Sequence, residues 1–172
     1  DITANPLVAL YFACEHEGGQ RESGEVVVFR IPTAEIKYFD SDTVSVIANI
    51  SRRPSTFKLP EEDLEREAFN ADEQIHYLLH EVKREKPYFE PFILRHHLES
   101  VVCVKPKLDN ARVIKQDGAF LLFGMNGHKT EPATVPAGFL VAAASKRLLV
   151  EPAKKAFIRK QLESLGLTQA SI

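Results

Sequence analysis

Tryptophan is absent from the 172-residue sequence, and cysteine occurs only twice. Two cysteines cannot build a disulfide framework, and Cys14 and Cys103 each lie in an apolar run, which favours buried, reduced thiols of a cytoplasmic protein. No apolar run approaches the roughly 18 residues that a membrane-spanning helix requires, so no membrane partner is expected. The core must therefore be built from aliphatic residues and from the 11 phenylalanines.

An excess of charge of one sign is also missing. The sequence has 22 Lys and Arg against 24 Asp and Glu, which is a formal net charge of −2. This balance gives no general attraction to nucleic acid or to an anionic membrane, so nucleic acid is not an expected partner. With 44% hydrophobic and 27% charged residues, the composition is that of a globular protein, and the length suits one domain over residues 1–172.

Hydrophobic periodicity predicts helices and strands in an order that differs from a Rossmann alternation. Strands are predicted over 25–31, 101–105 and 119–123, with one or two more within 138–152. Helices are predicted near residues 6–14, 42–53, 59–70, 71–87, 110–117 and 152–167. This order predicts an α+β domain in which helices flank a mixed, mostly antiparallel sheet that contains the first three strands.

Two histidine pairs raise the question of metal binding. His76 and His80 are four residues apart in HYLLHE, so both lie on one helix face, a spacing that is compatible with Zn²⁺. Tyr77, however, stands where a metalloprotease motif has its Glu, and the pair lies off the apolar stripe. A solvated helix face is therefore favoured, and no metal is expected. The adjacent His96 and His97 would point about 100° apart on a helix and could not chelate one ion from it.

Two further stretches each allow a structural and a functional interpretation. In SRRPS, Arg52 and Arg53 follow a predicted helix, where cations complement the helix dipole; alternatively, the arginines bind a phosphate or pyrophosphate group. In KQDGAFLLFG, the polar pair Gln116 and Asp117 precedes a buried strand. This stretch is either a helix end with Gly118 in a left-handed conformation, or a site at the mouth of the strand.

No Walker loop, GxGxxG or GxSxG motif occurs, so the residues alone define no enzyme class. Three stretches together resemble the FRG domain family: NPLVALYFAC, VFRIP with SDTVSVIANISRRPS, and KPYFEP with VVCVKPKLDNARVIKQDGAFLLFG. The resemblance covers nearly the whole chain, and QDGAF matches the Q-x-G-x-F signature of the family. FRG domains are encoded in bacteria and in their phages and prophages, so the resemblance implies a protein of that origin.

The resemblance also implies that an N-terminal part of the domain precedes Asp1. In the family, NPLxALYFA follows a strand of the form QHxGxPTRLLDWT, and Asp1 to Thr3 look like the end of that strand, with Ile2 where the family often has Trp. The missing N-terminal segment would then be a partner of this chain. Without it, apolar surface around Ile2, Leu7 and Val8 is expected to be exposed.

An analogy with ADP-ribosyltransferases adds a chemistry to the resemblance. Those enzymes combine a basic residue on one strand, a hydroxyl residue on a second strand and a Glu or Gln on a late strand. The Gln of the FRG signature takes the third place, so the analogy points to NAD as the substrate and to an ADP-ribosyltransferase-like fold. Because Gln supplies no general base, and because the first two places fall wholly or mostly before Asp1, the chain alone is expected to be inactive.

On this interpretation the catalytic residue is Gln116, and the binding residues are Thr3, Arg52, Arg53, Asp117 and Gly118. The protein would then be an enzyme of this type or a toxin or defence effector. The alternative is a non-catalytic binding or sensing module of a bacterial or prophage system. An enzyme needs its polar groups to converge in a cleft, whereas a binding module is expected to expose an apolar patch.

Overall fold

The computed structural model describes residues 1–15, 22–60, 64–141 and 147–172. These residues group into two compact units. The first unit comprises Asp1–Pro32, Pro106–Phe120 and Ala137–Ile172, and the second comprises Thr33–Lys105 and Leu121–Pro136. A single domain over 1–172 stays a prediction beside this division.

The secondary structure is mixed α+β, as predicted. The strands are β1 (Ile2–Thr3), β2 (Gly24–Val26), β3 (Ile36–Tyr38), β4 (Val101–Lys105), β5 (Gly118–Phe123), β6 (Met125–Asn126), β7 (His128–Pro132) and β8 (Leu148–Val150). The α-helices are α1 (Pro6–Ala13), α2 (Asp42–Asn49), α3 (Arg66–Ala71), α4 (Glu73–Glu85), α5 (Arg95–Leu98), α6 (Ala111–Lys115) and α7 (Pro152–Ser164). Short 3₁₀ turns cover Thr33–Glu35, Ile50–Arg52 and Ala137–Phe139. Of the predicted elements, parts that fall on 61–63 and 142–146 lie outside the described residues. No helix in the described part of the chain has the length and apolar character needed to cross a membrane.

The first two elements of the first unit are β1 and α1, and α1 matches the helix predicted near residues 6–14. β1 pairs antiparallel with the beginning of β5, with Ile2 opposite Ala119 and Thr3 opposite Gly118. The side chain of Asn5 then caps α1 by accepting a hydrogen bond from the backbone N–H of Leu7 at 3.0 Å. This cap satisfies one of the backbone donors that the first helical turn leaves without a partner.

The apolar surface expected near the N-terminus is exposed only in part. Leu7 is 40% exposed, but Val8 is 0% exposed, so the expectation for Val8 is wrong. The reason is that α1 buries the face that carries Val8, Tyr11 and Cys14. On α7, Arg159 donates a hydrogen bond to the hydroxyl of Tyr11 at 3.1 Å, and its guanidinium lies 5.1 Å from the ring centroid.

The predicted strand over 25–31 is wrong in extent and in pairing. The strand β2 covers Gly24–Val26 and pairs antiparallel with β8 in a two-stranded sheet of its own. It runs close beside the end of α1. The approach is so close that a Cβ atom at Gly24 would lie 1.9 Å from the carbonyl oxygen of Ala13. The β-branched run from Val26 to Val28 indicates a strand, but such a run does not indicate which strand will be its neighbour.

In the second unit, β4 lies between β3 and the later residues of β5. β3 and β4 are parallel, with Ile36 opposite Cys103. The N–H of Gly124, just after β5, donates to the carbonyl of Ser100, just before β4, at 2.8 Å. The predictions of strands at 101–105 and 119–123 are therefore confirmed, and both belong to a mixed sheet.

The apolar stripe predicted on α4 forms much of the core of the second unit. Its buried members are Ile75, Leu78, Leu79 and Val82. Asp72 caps the helix, since its carboxylate accepts hydrogen bonds from the N–H groups of Gln74 and Ile75 at 2.9 and 3.2 Å. Other fully buried side chains of this unit are Val46, Phe57, Phe69, Ile93, Leu98, Val102 and Met125.

Replacing Gly124 by alanine should strongly destabilise the protein. A Cβ atom at this position would lie 2.0 Å from the carbonyl oxygen of Leu98 and 2.9 Å from that of Ser100. Both are backbone atoms, so no side-chain rotation can relieve the contact. We expect Gly124→Ala to lower the free energy of unfolding in urea by about 3 kcal/mol, as overpacked cores do.

The matched control is Gly138→Ala, since a Cβ atom at Gly138 would meet no atom within 4 Å. This variant should change stability by less than about 1 kcal/mol. Equal urea midpoints for the two variants would show that the contact at Gly124 does not constrain the fold.

Candidate functional site

The turn between α6 and β5 carries three of the residues singled out in the sequence. Asn110 caps α6 by accepting a hydrogen bond from the N–H of Arg112 at 2.9 Å, and Gln116 ends the helix by donating its N–H to the carbonyl of Arg112 at 2.9 Å. Asp117 then takes the left-handed conformation, with φ at 48°. The expected left-handed Gly118 is therefore wrong: Gly118 is already the first residue of β5.

The different properties of aspartate and glycine explain why Asp117, and not Gly118, takes the left-handed conformation. Aspartate tolerates a left-handed conformation better than most residues, so the turn does not need glycine at Asp117. Glycine instead serves close packing at position 118, because a Cβ atom there would lie 3.3 Å from the carbonyl oxygen of Val113. A helix end of this kind therefore places its glycine one residue later than the usual pattern indicates.

Thr3 holds the turn in place through backbone groups. Its hydroxyl donates a hydrogen bond to the carbonyl oxygen of Gln116 at 2.6 Å and accepts one from the N–H of Asn5 at 3.0 Å. The N–H of Ala4 donates to the carbonyl oxygen of Asp117 at 3.0 Å. We call the group formed by Thr3, Gln116, Asp117 and Gly118 the β1–β5 junction.

The amide side chain of Gln116 takes no part in these contacts. The junction uses the backbone carbonyl of Gln116, and within the described ranges no hydrogen bond of its side chain is recorded. The residue is half-buried. Its position is therefore set by the backbone while its amide oxygen and nitrogen stay available, and the expected contact with a ligand stays a prediction.

The two arginines of SRRPS lie in the second unit, and their charges are treated differently. Arg52 forms ion pairs with two carboxylates of α4, Glu85 and, at 3.5 Å, Glu81. The side-chain amide of Asn49 also donates to Glu85 at 2.9 Å. An anion that bound Arg52 would have to compete with both carboxylates, so its structural role near the end of α2 is favoured.

Arg53 is held by aromatic rings instead. Its guanidinium carbon lies 5.5 Å from the ring centroid of Tyr77 and 5.8 Å from that of Phe57. Among the described residues the structure records no ion pair for Arg53, and its buried Nε atom has no hydrogen-bond partner. A guanidinium that is oriented by rings and not neutralised by a carboxylate is suited to bind a phosphate group.

Sequence reasoning missed the side chain that orders the backbone at Arg53. Lys129, on β7, donates its ammonium protons to the carbonyl oxygens of Ser51, at 2.9 Å, and Arg53. These carbonyls close the 3₁₀ turn after α2, so Lys129 neutralises the partial negative charge of that end. Nothing in the spacing of HKTEP indicates this contact, because it joins segments that are far apart in the sequence.

The cysteines are buried and free, as predicted. Burial raises the pKa of the Cys14 thiol, an effect that the charges of Lys155 and Arg159 partly oppose. Burial likewise raises the pKa of Cys103, against the smaller opposing effect of Lys105. Since the thiolate is the nucleophilic form, neither residue is suited to covalent catalysis near neutral pH.

Comparisons of the chain with protein-family models, with curated proteins and with solved structures found no match. The assignment of a function therefore depends on the geometry described above and on the resemblance of the sequence motifs.

Arg53 should contribute more than Arg52 to the binding of inorganic pyrophosphate. We expect Arg53→Ala to weaken binding at least tenfold in calorimetric titration, which corresponds to about 1.4 kcal/mol. Arg53→Lys should recover only part of this loss, because lysine keeps the charge but lacks the planar fork. Arg52→Ala is the control and should change affinity less than threefold. An equal or larger loss of affinity in Arg52→Ala would show that Arg53 is not the main contact of the anion.

His97 should make the stability of the protein depend on pH. Its half-buried position lowers the pKa of the imidazole by desolvation, and the charges of His96 and Lys37 lower it further while Asp42 opposes them. The unfolded chain therefore takes up the proton first. The contribution of neutral His97 to stability is fully present above the ordinary histidine pKa of about 6.5. This contribution is lost as the pH falls toward the lower pKa of the folded state.

Urea unfolding between pH 7.5 and pH 5 tests this sign. We expect His97→Gln to reduce the loss of stability on acidification, while His96→Gln, at the exposed neighbouring position, should retain most of the loss. An unchanged pH dependence in His97→Gln would show that another group is responsible.

Proposed function

We propose that this chain is part of an FRG domain and that the domain acts on NAD in an ADP-ribosyltransferase-like manner, with a fold of that type. The observation that carries the proposal is the hydrogen bond of 2.6 Å from the hydroxyl of Thr3 to the carbonyl of Gln116. ADP-ribosyltransferases need a hydroxyl residue on one strand beside a Glu or Gln on a late strand. β1, which carries Thr3, pairs with the start of β5, and Gln116 ends the helix two residues before that strand.

The residues of the β1–β5 junction suit the recognition of a ribose. NAD supplies an ADP-ribosyl group, which is transferred when its bond to nicotinamide breaks. The amide oxygen of Gln116 is an acceptor for a ribose hydroxyl, and the amide nitrogen is a donor. Because the backbone of Gln116 is tied to β1, the side chain starts from a defined position, which lowers the entropy lost on binding.

Gln116 orients a ligand but does not remove a proton. An uncharged amide has no basic site near neutral pH, so the acceptor of the ADP-ribosyl group must lose its proton to another group. The proposal therefore assigns to Gln116 the positioning of the ribose, and it expects a slower reaction than an enzyme with Glu at this place would show.

Binding of NAD, rather than turnover, tests the proposal on this chain. We expect Gln116→Ala to weaken NAD binding at least tenfold in calorimetric titration and to lower the free energy of unfolding by about 1 kcal/mol or less. The matched control is Gln161→Ala, since Gln161 is an exposed glutamine of α7 in the same unit. It should change neither quantity.

A protein that binds NAD equally well with and without the Gln116 side chain would remove the basis of the transferase interpretation. Where the natural protein releases nicotinamide from NAD, Gln116→Ala should abolish that release.

A second candidate is a non-catalytic binding module, and an exposed apolar surface of the first unit favours it. Val27, Val28, Leu140, Val141 and Leu148 are each between 40% and 56% exposed. They belong to one antiparallel arrangement, since the N–H of Val141 donates to the carbonyl of Val28 at 3.0 Å and Val26 pairs with Leu148. Exposed apolar residues on neighbouring extended segments are compatible with a protein interaction site. Failure of NAD to bind would favour this candidate.

A further inference from the structure

The outer face of α4 carries two imidazole rings in direct contact. The Nε2 atoms of His76 and His80 lie 3.1 Å apart, and the ring centroids lie 4.6 Å apart with the ring planes at 87°. Both residues are exposed to solvent. The presence of Tyr77 in place of Glu, noted in the sequence, argues against a metalloprotease, but it has no bearing on whether two nitrogens can bind an ion.

The distance between the two nitrogens suits chelation of one metal ion. Imidazole nitrogens bind Zn²⁺ at about 2.0–2.1 Å, so two nitrogens that share an ion are about 2.9 Å apart at a right angle and about 3.4 Å apart at a tetrahedral angle. The observed 3.1 Å lies between these limits. The distance between the two nitrogens therefore does not have to change when an ion replaces the hydrogen bond between the rings.

The helix under the pair holds the two histidine backbones at a fixed spacing. The opposite face of α4 is buried through Ile75, Leu78, Leu79 and Val82, and Asp72 caps the first turn. The spacing of the histidine backbones therefore does not depend on the ion. A site that is formed before the metal arrives loses less entropy on binding than one that must be ordered.

We propose that His76 and His80 form a chelating site for one divalent transition-metal ion. Imidazole is a preferred ligand of copper, nickel and zinc, and the general order of affinities places Cu²⁺ first. Mg²⁺ and Ca²⁺ prefer oxygen ligands and are excluded by the same chemistry. The proposal does not depend on the function proposed for the β1–β5 junction, which lies in the other unit.

The surroundings make this an open site of moderate affinity. In the part of the chain that the structure describes, no group of three or more His, Cys, Asp or Glu is arranged to hold a metal. The charged residues three or four positions from the pair along the helix are Asp72 and Glu73, before His76, and Lys83 and Arg84, after His80. The two carboxylates favour a cation, whereas the two basic side chains oppose it. The remaining coordination positions fall to water or to an oxygen or nitrogen ligand from another molecule.

Metal titration of the whole chain tests the proposal. Cu²⁺, Zn²⁺ and Mg²⁺ are added separately to metal-free protein at pH 7.5, and binding is measured by calorimetry and by the visible absorption of bound Cu²⁺. We expect one Cu²⁺ per chain, weaker binding of Zn²⁺ and no heat from Mg²⁺. His76→Asn and His80→Asn should each weaken Cu²⁺ binding at least tenfold, because each removes one of the two ring nitrogens that hold the ion.

The second histidine pair provides the matched control. His96 and His97 are adjacent on the four-residue helix α5, and their ring centroids are only 4.4 Å apart. Their directions from the helix prevent joint chelation. His96→Asn should therefore leave Cu²⁺ affinity within twofold of the unchanged protein. The proposal is overturned if His96→Asn weakens binding as much as His76→Asn and His80→Asn do, or if those two variants bind Cu²⁺ normally.

Discussion

Burial of the apolar stripe of α4 is the constraint on which the second unit depends. With its four aliphatic side chains in the core, the opposite face of the helix is left to charged and aromatic residues. The carboxylates of Glu81 and Glu85 then neutralise Arg52, and the ring of Tyr77 lies under the guanidinium of Arg53. The orientation of one helix thus decides which of two adjacent arginines is neutralised and which keeps an uncompensated charge.

The first unit depends in the same way on hydrogen bonds between β1 and the turn before β5. The two residues of β1 are too few to form a stable strand alone, so their pairing with β5 depends on the added contacts of Thr3 and Ala4 with the turn. These contacts use the carbonyls of Gln116 and Asp117, which lie at a helix end and would otherwise lack partners. The same contacts leave the side chain of Gln116 uncommitted, and this combination supports a role in ligand binding.

The parts of the structure that sequence reasoning predicted are those with a local cause. The stripe of α4, the cap at Asn5 and the strands at 101–105 and 119–123 each follow from spacing or from residue type within a few positions. The pairing of β2 was not predictable in this way, because it joins β2 to β8, which lies near the other end of the sequence. The left-handed Asp117 was missed because the neighbouring glycine is the more usual choice.

The same division applies to the candidate sites. The motif QDGAF was sufficient to single out Gln116, and SRRPS was sufficient to single out both arginines, but neither motif indicates the partner of each side chain. The partners of Arg52 are more than 25 residues away along the chain, and Lys129 is farther still from Arg53. The four-residue spacing of His76 and His80 predicted a shared face, whereas the 3.1 Å contact depends on the rotamers of both rings.

The functional candidates Gln116 and Arg53 share one physical property. Each has a polar group that the fold holds in place but that has no hydrogen-bond or ion-pair partner among the described residues. Polar groups in the interior of proteins nearly always have a hydrogen-bond partner, so a well-positioned polar side chain without one calls for an explanation. Arg52 satisfies the rule through two carboxylates and needs no ligand. The backbone of Gln116 is fixed by Thr3 and the guanidinium of Arg53 by aromatic rings, and among the described residues no side-chain hydrogen bond of either residue is recorded. A ligand that binds Arg53 meets a guanidinium that the rings already orient, and a ligand that binds Gln116 meets a side chain whose backbone is fixed, so both are stronger candidates than exposed charges elsewhere on the surface.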